Sequence, residues 1–141
     1  MAAMTGAYAH TIDDKGRLNI PAKLLKQLGE VFYVTLSMDE CLSVYSAESW
    51  EQIMARYSAM PYSQQRKLRP LFANAAVFEN DTKGRILLPQ NLRDAAKLSK
   101  EVSIVGVGNR VEIWDAEKWA EINTVETASE NIAAVMEEIG F

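Results

Sequence analysis

Two short runs hold the side chains with the greatest chemical reach: Asp13-Asp14-Lys15-Gly16-Arg17 and Asp81-Thr82-Lys83-Gly84-Arg85. Each combines a carboxylate, an ammonium, a glycine and a guanidinium. Lys and Arg neutralise phosphates, and Arg meets a phosphate or a guanine edge with two parallel N–H bonds. Gly16 and Gly84 supply the positive φ that a tight turn needs. Asp13 and Asp81 read as structural, each accepting backbone N–H bonds across its turn. The pattern puts Lys15, Arg17, Lys83 and Arg85 at two apices, and apices on one side would turn four cations toward a duplex. The alternative is a solvated charged surface, against which the in-register recurrence argues. Lys23, Lys26 and Arg93 extend the same surface. Arg66, Lys67 and Arg69 form the densest basic cluster, which we read as an interface in preference to a phosphate site.

Catalytic and metal chemistry find little support. His10 and Cys41 are the only residues of their kinds, so no internal disulfide, cysteine cage or His-His site can be built. Cys41 reads as a buried small hydrophobe and His10 as a hydrogen-bonded strand residue. Asp13-Asp14 and Glu137-Glu138 are neighbours in sequence, which do not converge on one substrate. No phosphate-cradling or nucleophile-elbow motif is present, and Gly84, Gly106 and Gly108 are too dispersed to replace one. The expectation is no catalytic residue, no metal, no cofactor and no small-molecule substrate.

The elements that must position the two runs emerge when the chain is laid against itself. At a shift of 68, Asp13, Lys15, Gly16, Arg17, Pro21 and Leu24 recur as Asp81, Lys83, Gly84, Arg85, Pro89 and Leu92. At a shift of 69, Ala47, Glu48 and Trp50 recur as Ala116, Glu117 and Trp119. Between these blocks 31–37 faces 102–108, and 42–46 faces 111–115. Each copy predicts a strand (7–12 and 75–79), the turn, a brief returning strand (18–20 and 86–88), then a helix (21–28 and 89–97). Pro21 and Pro89 are expected at the first helical position, and Gly29 as a C-terminal cap. Two strands follow around turn-rich residues, and Ser46 and Asp115 cap the next helices. Trp50, Ile53, Met54 and Tyr57, with Trp119 and Ile122, make core-facing stripes. Residues 61–72 read as a connecting helix that Pro70 kinks or ends. Residues 116–139 read as a helix, interrupted within 123–129, with Ile132, Val135, Met136 and Ile139 on one face.

Halves this small are marginal alone, so they are expected to pack about a pseudo-two-fold axis. The reading is an α+β fold of duplicated β-α-β halves with flanking helices: a first repeat over 5–50, a connecting helical segment over 51–75, a second repeat over 76–119 and an acidic C-terminal helix over 120–141. The formal net charge is −4, unusual for a phosphate binder. It is uneven: residues 1–110 carry 14 cations against 11 acids, and residues 111–141 carry one against eight. No run is long and apolar enough to span a bilayer and no export signal is visible, so a cytoplasmic location is expected.

The duplicated Asp-x-Lys-Gly-Arg, the Ile-Pro and Leu-Pro after it, and the run from Lys100 to Asp115 with Trp119 beyond resemble the MraZ family. Each half also resembles the SpoVT/AbrB swapped-hairpin domain. The resemblance runs from about Thr5 to about Trp119. It implies a pseudo-two-fold, barrel-like core of two swapped hairpins. It also implies a transcriptional regulator, a repressor of its own division and cell-wall gene cluster, that binds promoter direct repeats in double-stranded DNA. Ring assembly of identical subunits and nucleoid association are implied with it. Lys15, Arg17, Lys83 and Arg85 match the family motif as DNA contacts, and Lys26 and Arg93 fall near the helix arginines of the swapped-hairpin relatives. Leu25 departs from the pattern where an arginine is often found. An antitoxin-like or purely structural oligomeric protein is the alternative, and the Trp-bearing C-terminal helix and full second repeat argue against the antitoxin.

Overall fold

The computed structural model describes residues 3–80, 83–128 and 130–140. The turn role expected of Asp81 lies outside the described residues. The first half comprises β1 (Ala7–Thr11), β2 (Arg17–Asn19), α1 (Ala22–Leu28), β3 (Val31–Leu36), β4 (Leu42–Ser46) and α2 (Ala47–Ser58). A broken connector follows: α3 (Tyr62–Gln65), a 3₁₀ turn (Arg66–Leu68) and α4 (Arg69–Ala73). The second half repeats the order as β5 (Ala76–Glu79), β6 (Arg85–Leu87), α5 (Gln90–Ala95), β7 (Glu101–Gly106), β8 (Val111–Asp115) and α6 (Ala116–Ala128), and α7 (Asn131–Glu138) ends it.

Six strands form one antiparallel sheet in the order β1-β7-β8-β4-β3-β5, and β2 pairs with β6 in a separate ribbon. The halves therefore exchange strands: β1 pairs with β7 of the second half, and β5 with β3 of the first. At the centre Leu42, Ser43 and Val44 of β4 oppose Ile113, Glu112 and Val111 of β8. Ser43 and Glu112 are equivalent positions of the repeat, as are Leu18 and Ile86, which face each other in the ribbon. The pseudo-two-fold axis passes through both pairs. The barrel-like closure implied by the swapped-hairpin resemblance is not formed. The ribbon strands pair only with each other, so β1 and β5 remain edges.

Alternation in the strands builds two packed faces. Phe32, Val34, Val44, Ile104 and Ile113 point into the main core, where they meet Leu18, Ile20, Ile86 and Leu88 from the ribbon region and Leu24, Leu28 and Leu92 from α1 and α5. On the opposite face Val105, Trp114 and Cys41 pack beneath Trp119 and Ile122 of α6. Tyr33 and Tyr45 lie under Trp50, with Tyr57 and Phe72 joining the aromatic cluster. The Thr35 hydroxyl ties α4 down by donating to the Leu71 carbonyl. The sheet thus separates the basic ribbon from the acidic α6.

Several expectations shift in detail. Pro21 and Pro89 precede their helices, with ψ of 136° and 148°. From there their carbonyls accept the first helical N–H bonds, from Leu24, Leu25, Leu92 and Arg93. The 61–72 segment breaks into α3, the 3₁₀ turn and α4, and Pro70 sits in the first turn of α4, so it opens a helix. The helix from 116 runs through Asn123 to Ala128 and resumes at Asn131. The strand match of 31–37 with 102–108 is one residue out. Phe32 opposes Ser46 and Val102 opposes Asp115, so Phe32 is equivalent to Val102. A one-residue slip exchanges the faces of a strand, and burial of Phe32, Val34, Val102 and Ile104 sets the true register.

Candidate nucleic-acid interface

The turn after β1 is organised by Asp13. Its Oδ1 accepts the N–H groups of Lys15 and Arg17, each at 2.9 Å, and its Oδ2 accepts Arg17 Nε at 2.6 Å. These bonds, led by the backbone N–H of Arg17, hold the carboxyl at about 2 against an ordinary 3.8. Gly16 closes the turn at φ 89°, a conformation rare for any residue with a Cβ. The matching glycine, Gly84, has φ 67°.

Both turns feed the ribbon. Leu88 N–H donates to the Gly16 carbonyl and Ile20 N–H to the Gly84 carbonyl, each at 2.9 Å. Arg17 stands opposite Leu87 and Asn19 opposite Arg85. With Leu18 and Ile86 buried beneath, Arg17, Asn19, Arg85 and Leu87 all face outward. Arg17 and Arg85 are therefore diagonal neighbours, a spacing of roughly 7–8 Å in an antiparallel pair. They line one shallow hollow of about 220 Å³ with Thr11, Asp13, Leu18 and Asn19. Lys15 and Lys83 are exposed in the turns at either end. Arg85 makes no side-chain hydrogen bond or ion pair among the described residues.

The helix cations part company. Arg93 crosses from the second half onto the first turn. A Cβ on Gly16 would stand 3.0 Å from the Arg93 guanidinium, and Arg93 Nε donates to the Leu88 carbonyl at 3.1 Å. The repeat-equivalent position is Leu25, whose Cδ2 covers Gly84 at 2.8 Å from where a Cβ would be. The structure therefore brings Arg93 to Lys15 and Arg17, while the second turn is capped by a hydrocarbon. Lys26, on the last turn of α1, is exposed beside Leu25. Sequence reasoning passed over Asn19 and Thr11. The signal for Asn19 was its place two residues beyond Arg17, the same-face spacing of a strand.

Elsewhere Cys41 is buried, and burial pushes its thiol up to about 12. Glu112 is buried and accepts bonds from Trp114 Nε1 at 2.9 Å and Arg110 Nη2 at 3.1 Å. Asp115 lies below the usual carboxylate range, chiefly through the Ser99 hydroxyl. Each of these supports a strand or a cap. Among the described residues no group of three or more His, Cys, Asp or Glu is placed to hold a metal ion, and no helix is long and apolar enough to cross a membrane.

Two strand-exchanged halves that jointly present a cationic two-stranded ribbon define a duplicated swapped-hairpin protein. A family profile described as "MraZ protein, putative antitoxin-like" matches the chain twice, over residues 3–69 and 71–138. The chain belongs to the MraZ family. It is similar to the transcriptional regulator MraZ of Carboxydothermus hydrogenoformans, 47% identical over 93% of this chain and 94% of the relative. The regulators of the same name from Acetivibrio thermocellus and Thermoanaerobacter sp. are 44% and 43% identical, over 96% and 98% of this chain and 98% and 99% of theirs. The name these relatives carry is that of a regulator, which is not an enzyme class.

Proposed function

We propose that this protein is a sequence-specific DNA-binding transcriptional regulator, reading duplex DNA with the outward face of the β2–β6 ribbon. One observation carries the reading: Arg17 and Arg85, from different halves, share one face and one hollow. A two-stranded ribbon fits the major groove. There Lys15, Arg17, Lys83 and Arg85 neutralise phosphates or take guanine edges, Arg93 adds charge at the first turn, and Lys26 flanks the second. The reading extends to repression of its own promoter through direct repeats and to association with the nucleoid. Assembly as a ring of identical subunits would present one ribbon per subunit at regular spacing. Several weak contacts then sum through effective concentration. No catalytic role, cofactor or small-molecule substrate is assigned.

The test is fluorescence anisotropy on the protein's own upstream DNA and a scrambled duplex across a salt series, with sizing alongside. Wild type is expected to prefer the upstream DNA with a steep salt dependence. Arg17→Ala with Arg85→Ala is expected to stay assembled, with the slope of log K against log salt shallower by about two. A double variant that remains assembled and binds as wild type does would show that the ribbon is not the interface.

A further inference from the structure

The outward face of the β2–β6 ribbon is symmetric in its arginines and asymmetric beside them. Arg17 and Arg85 are equivalent positions of the repeat, so the pseudo-two-fold axis exchanges them. The same axis exchanges Asn19 with Leu87. Each of this unlike pair stands directly across from an arginine, Asn19 from Arg85 and Leu87 from Arg17. Neither supports the fold. Asn19 is exposed and forms no side-chain hydrogen bond among the described residues. Leu87 is 57% exposed and joins neither apolar cluster. A single exposed leucine is ordinary on a protein surface, but this one sits among cations on the face that the functional reading lays against DNA.

The four outward side chains differ in what they can tell apart. A guanidinium takes a phosphate as readily as a guanine edge. Arg17 is further restricted, because its Nε is held by Asp13 and only its terminal nitrogens remain for a partner. An asparagine amide offers a donor and an acceptor side by side, which matches the N7 acceptor and N6 donor of adenine in the major groove. A leucine has nothing for a phosphate and matches the C5-methyl of thymine. Same-face residues of an antiparallel strand stand about 6.8 Å apart, roughly two base steps. Arg17 and Asn19 therefore fit separate bases of one short site, as do Arg85 and Leu87.

We propose that Asn19 and Leu87 determine the sequence and direction in which the ribbon reads DNA. The Asn19 amide donates to adenine N7 and accepts from adenine N6, and Leu87 covers a thymine methyl. The arginines are exchanged by the axis, so they meet the duplex alike in either direction. The unlike pair breaks that equivalence, because turning the duplex end for end sets Leu87 against the adenine and Asn19 against the methyl. A truly two-fold reader selects a palindrome, whereas this ribbon selects a site with a direction. The proposal rests on the ribbon as the DNA interface and adds which of its side chains carry the selectivity.

The test uses full-length protein, its own upstream DNA and fluorescence anisotropy, with circular dichroism and sizing to confirm that each variant is folded and assembled. Three further duplexes keep the sequence but replace adenine by 7-deazaadenine, thymine by uracil, or guanine by 7-deazaguanine. They remove the adenine N7, the thymine methyl and the guanine N7 in turn. Wild type is expected to bind the 7-deazaadenine duplex about tenfold more weakly and the uracil duplex about threefold to fourfold more weakly. Asn19→Ala should lose about tenfold on unmodified DNA, become indifferent to 7-deazaadenine and still sense uracil. Leu87→Ala should become indifferent to uracil and still sense 7-deazaadenine. Neither removes a cation, so the salt slope should stay as in wild type. A wild type indifferent to 7-deazaadenine or to uracil would overturn the proposal, as would a folded variant that senses the analogue its side chain was meant to read. Sensitivity to 7-deazaguanine separates the two levels. If it persists, only the Asn19–Leu87 assignment falls, and if wild type is indifferent to all three duplexes, base reading by the ribbon falls with it.

Discussion

The halves share an order of elements and diverge where they touch each other. At the two ribbon turns the same glycine receives different covers: Arg93 over Gly16, Leu25 over Gly84. The first turn gains a cation from the opposite half, and the second gains buried hydrocarbon. Helix ends differ too. α1 stops at Gly29 with φ 84°, while the equivalent position after α5 is Lys97, at φ 53°. Leu36, closing β3, is matched by Gly106, closing β7, and only at Gly106 does the N-terminal backbone lie against the strand. Duplication supplied the frame, and the asymmetric substitutions divide labour within it. The difference lies in the cover itself, a guanidinium over one glycine and hydrocarbon over the other.

Substitutions at equivalent positions should expose that division. The largest effect is expected at Gly106→Ala, whose Cβ would stand 2.6–2.9 Å from Met4 and Thr5 backbone atoms. Overpacking against backbone costs about 2–3 kcal/mol, read as a fall in the urea midpoint, whereas Leu36→Ala should lose only part of a half-buried side chain. Leu25→Ala should cost about 2–3 kcal/mol of stability, since Leu25 is 7% exposed. Arg93→Ala should cost under about 1 kcal/mol yet weaken DNA binding and flatten its salt dependence. Equal stability losses at the two positions would erase the contrast. Smaller again is Lys97→Gly. It should stabilise the fold by about 0.5 kcal/mol by relieving a left-handed residue, because the Lys97–Glu40 pair it removes is exposed and worth little.

The smallest effect is a pH dependence confined to the first turn. The folded pKa of Asp13, about 2, lies below the ordinary 3.8. Between those values the unfolded chain binds more protons, so stability rises with pH across that window and is constant above it. The difference in urea midpoint between wild type and Asp13→Asn should hold above about pH 4. It should close as the pH falls through 2.

Much of this architecture was legible because it is local or repeated. The in-register Lys-Gly-Arg turns, the Ser46 cap and the Gly29 stop follow from residue chemistry within a few positions. The register of β3 against its counterpart was not, because the second half shortens the β-turn and only burial of Phe32 and Val102 places the offset. Which side chain covers which glycine was hidden as well, since Leu25 and Gly84 belong to opposite halves. Pro70 read as a stop because its φ suits a helix start as readily as it breaks an interior. At the site, the cations were evident from sequence, but their sharing of one face required the β2–β6 pairing, which no local signal encodes.

The exchange of edge strands also sets a timetable. Thr11 pairs with Glu101 and Tyr8 with Ile104, so β1 leaves the ribosome long before its partner exists. At synthesis rates of about 5–20 residues per second, that wait lasts on the order of 5–20 s. During it β1 has no partner in the main sheet and β4, paired with β3, keeps one edge open, exposures of the kind that nucleate aggregation. Closure of the sheet waits for the second half, so slowing its translation should raise the fraction lost to misassembly before the sheet is complete.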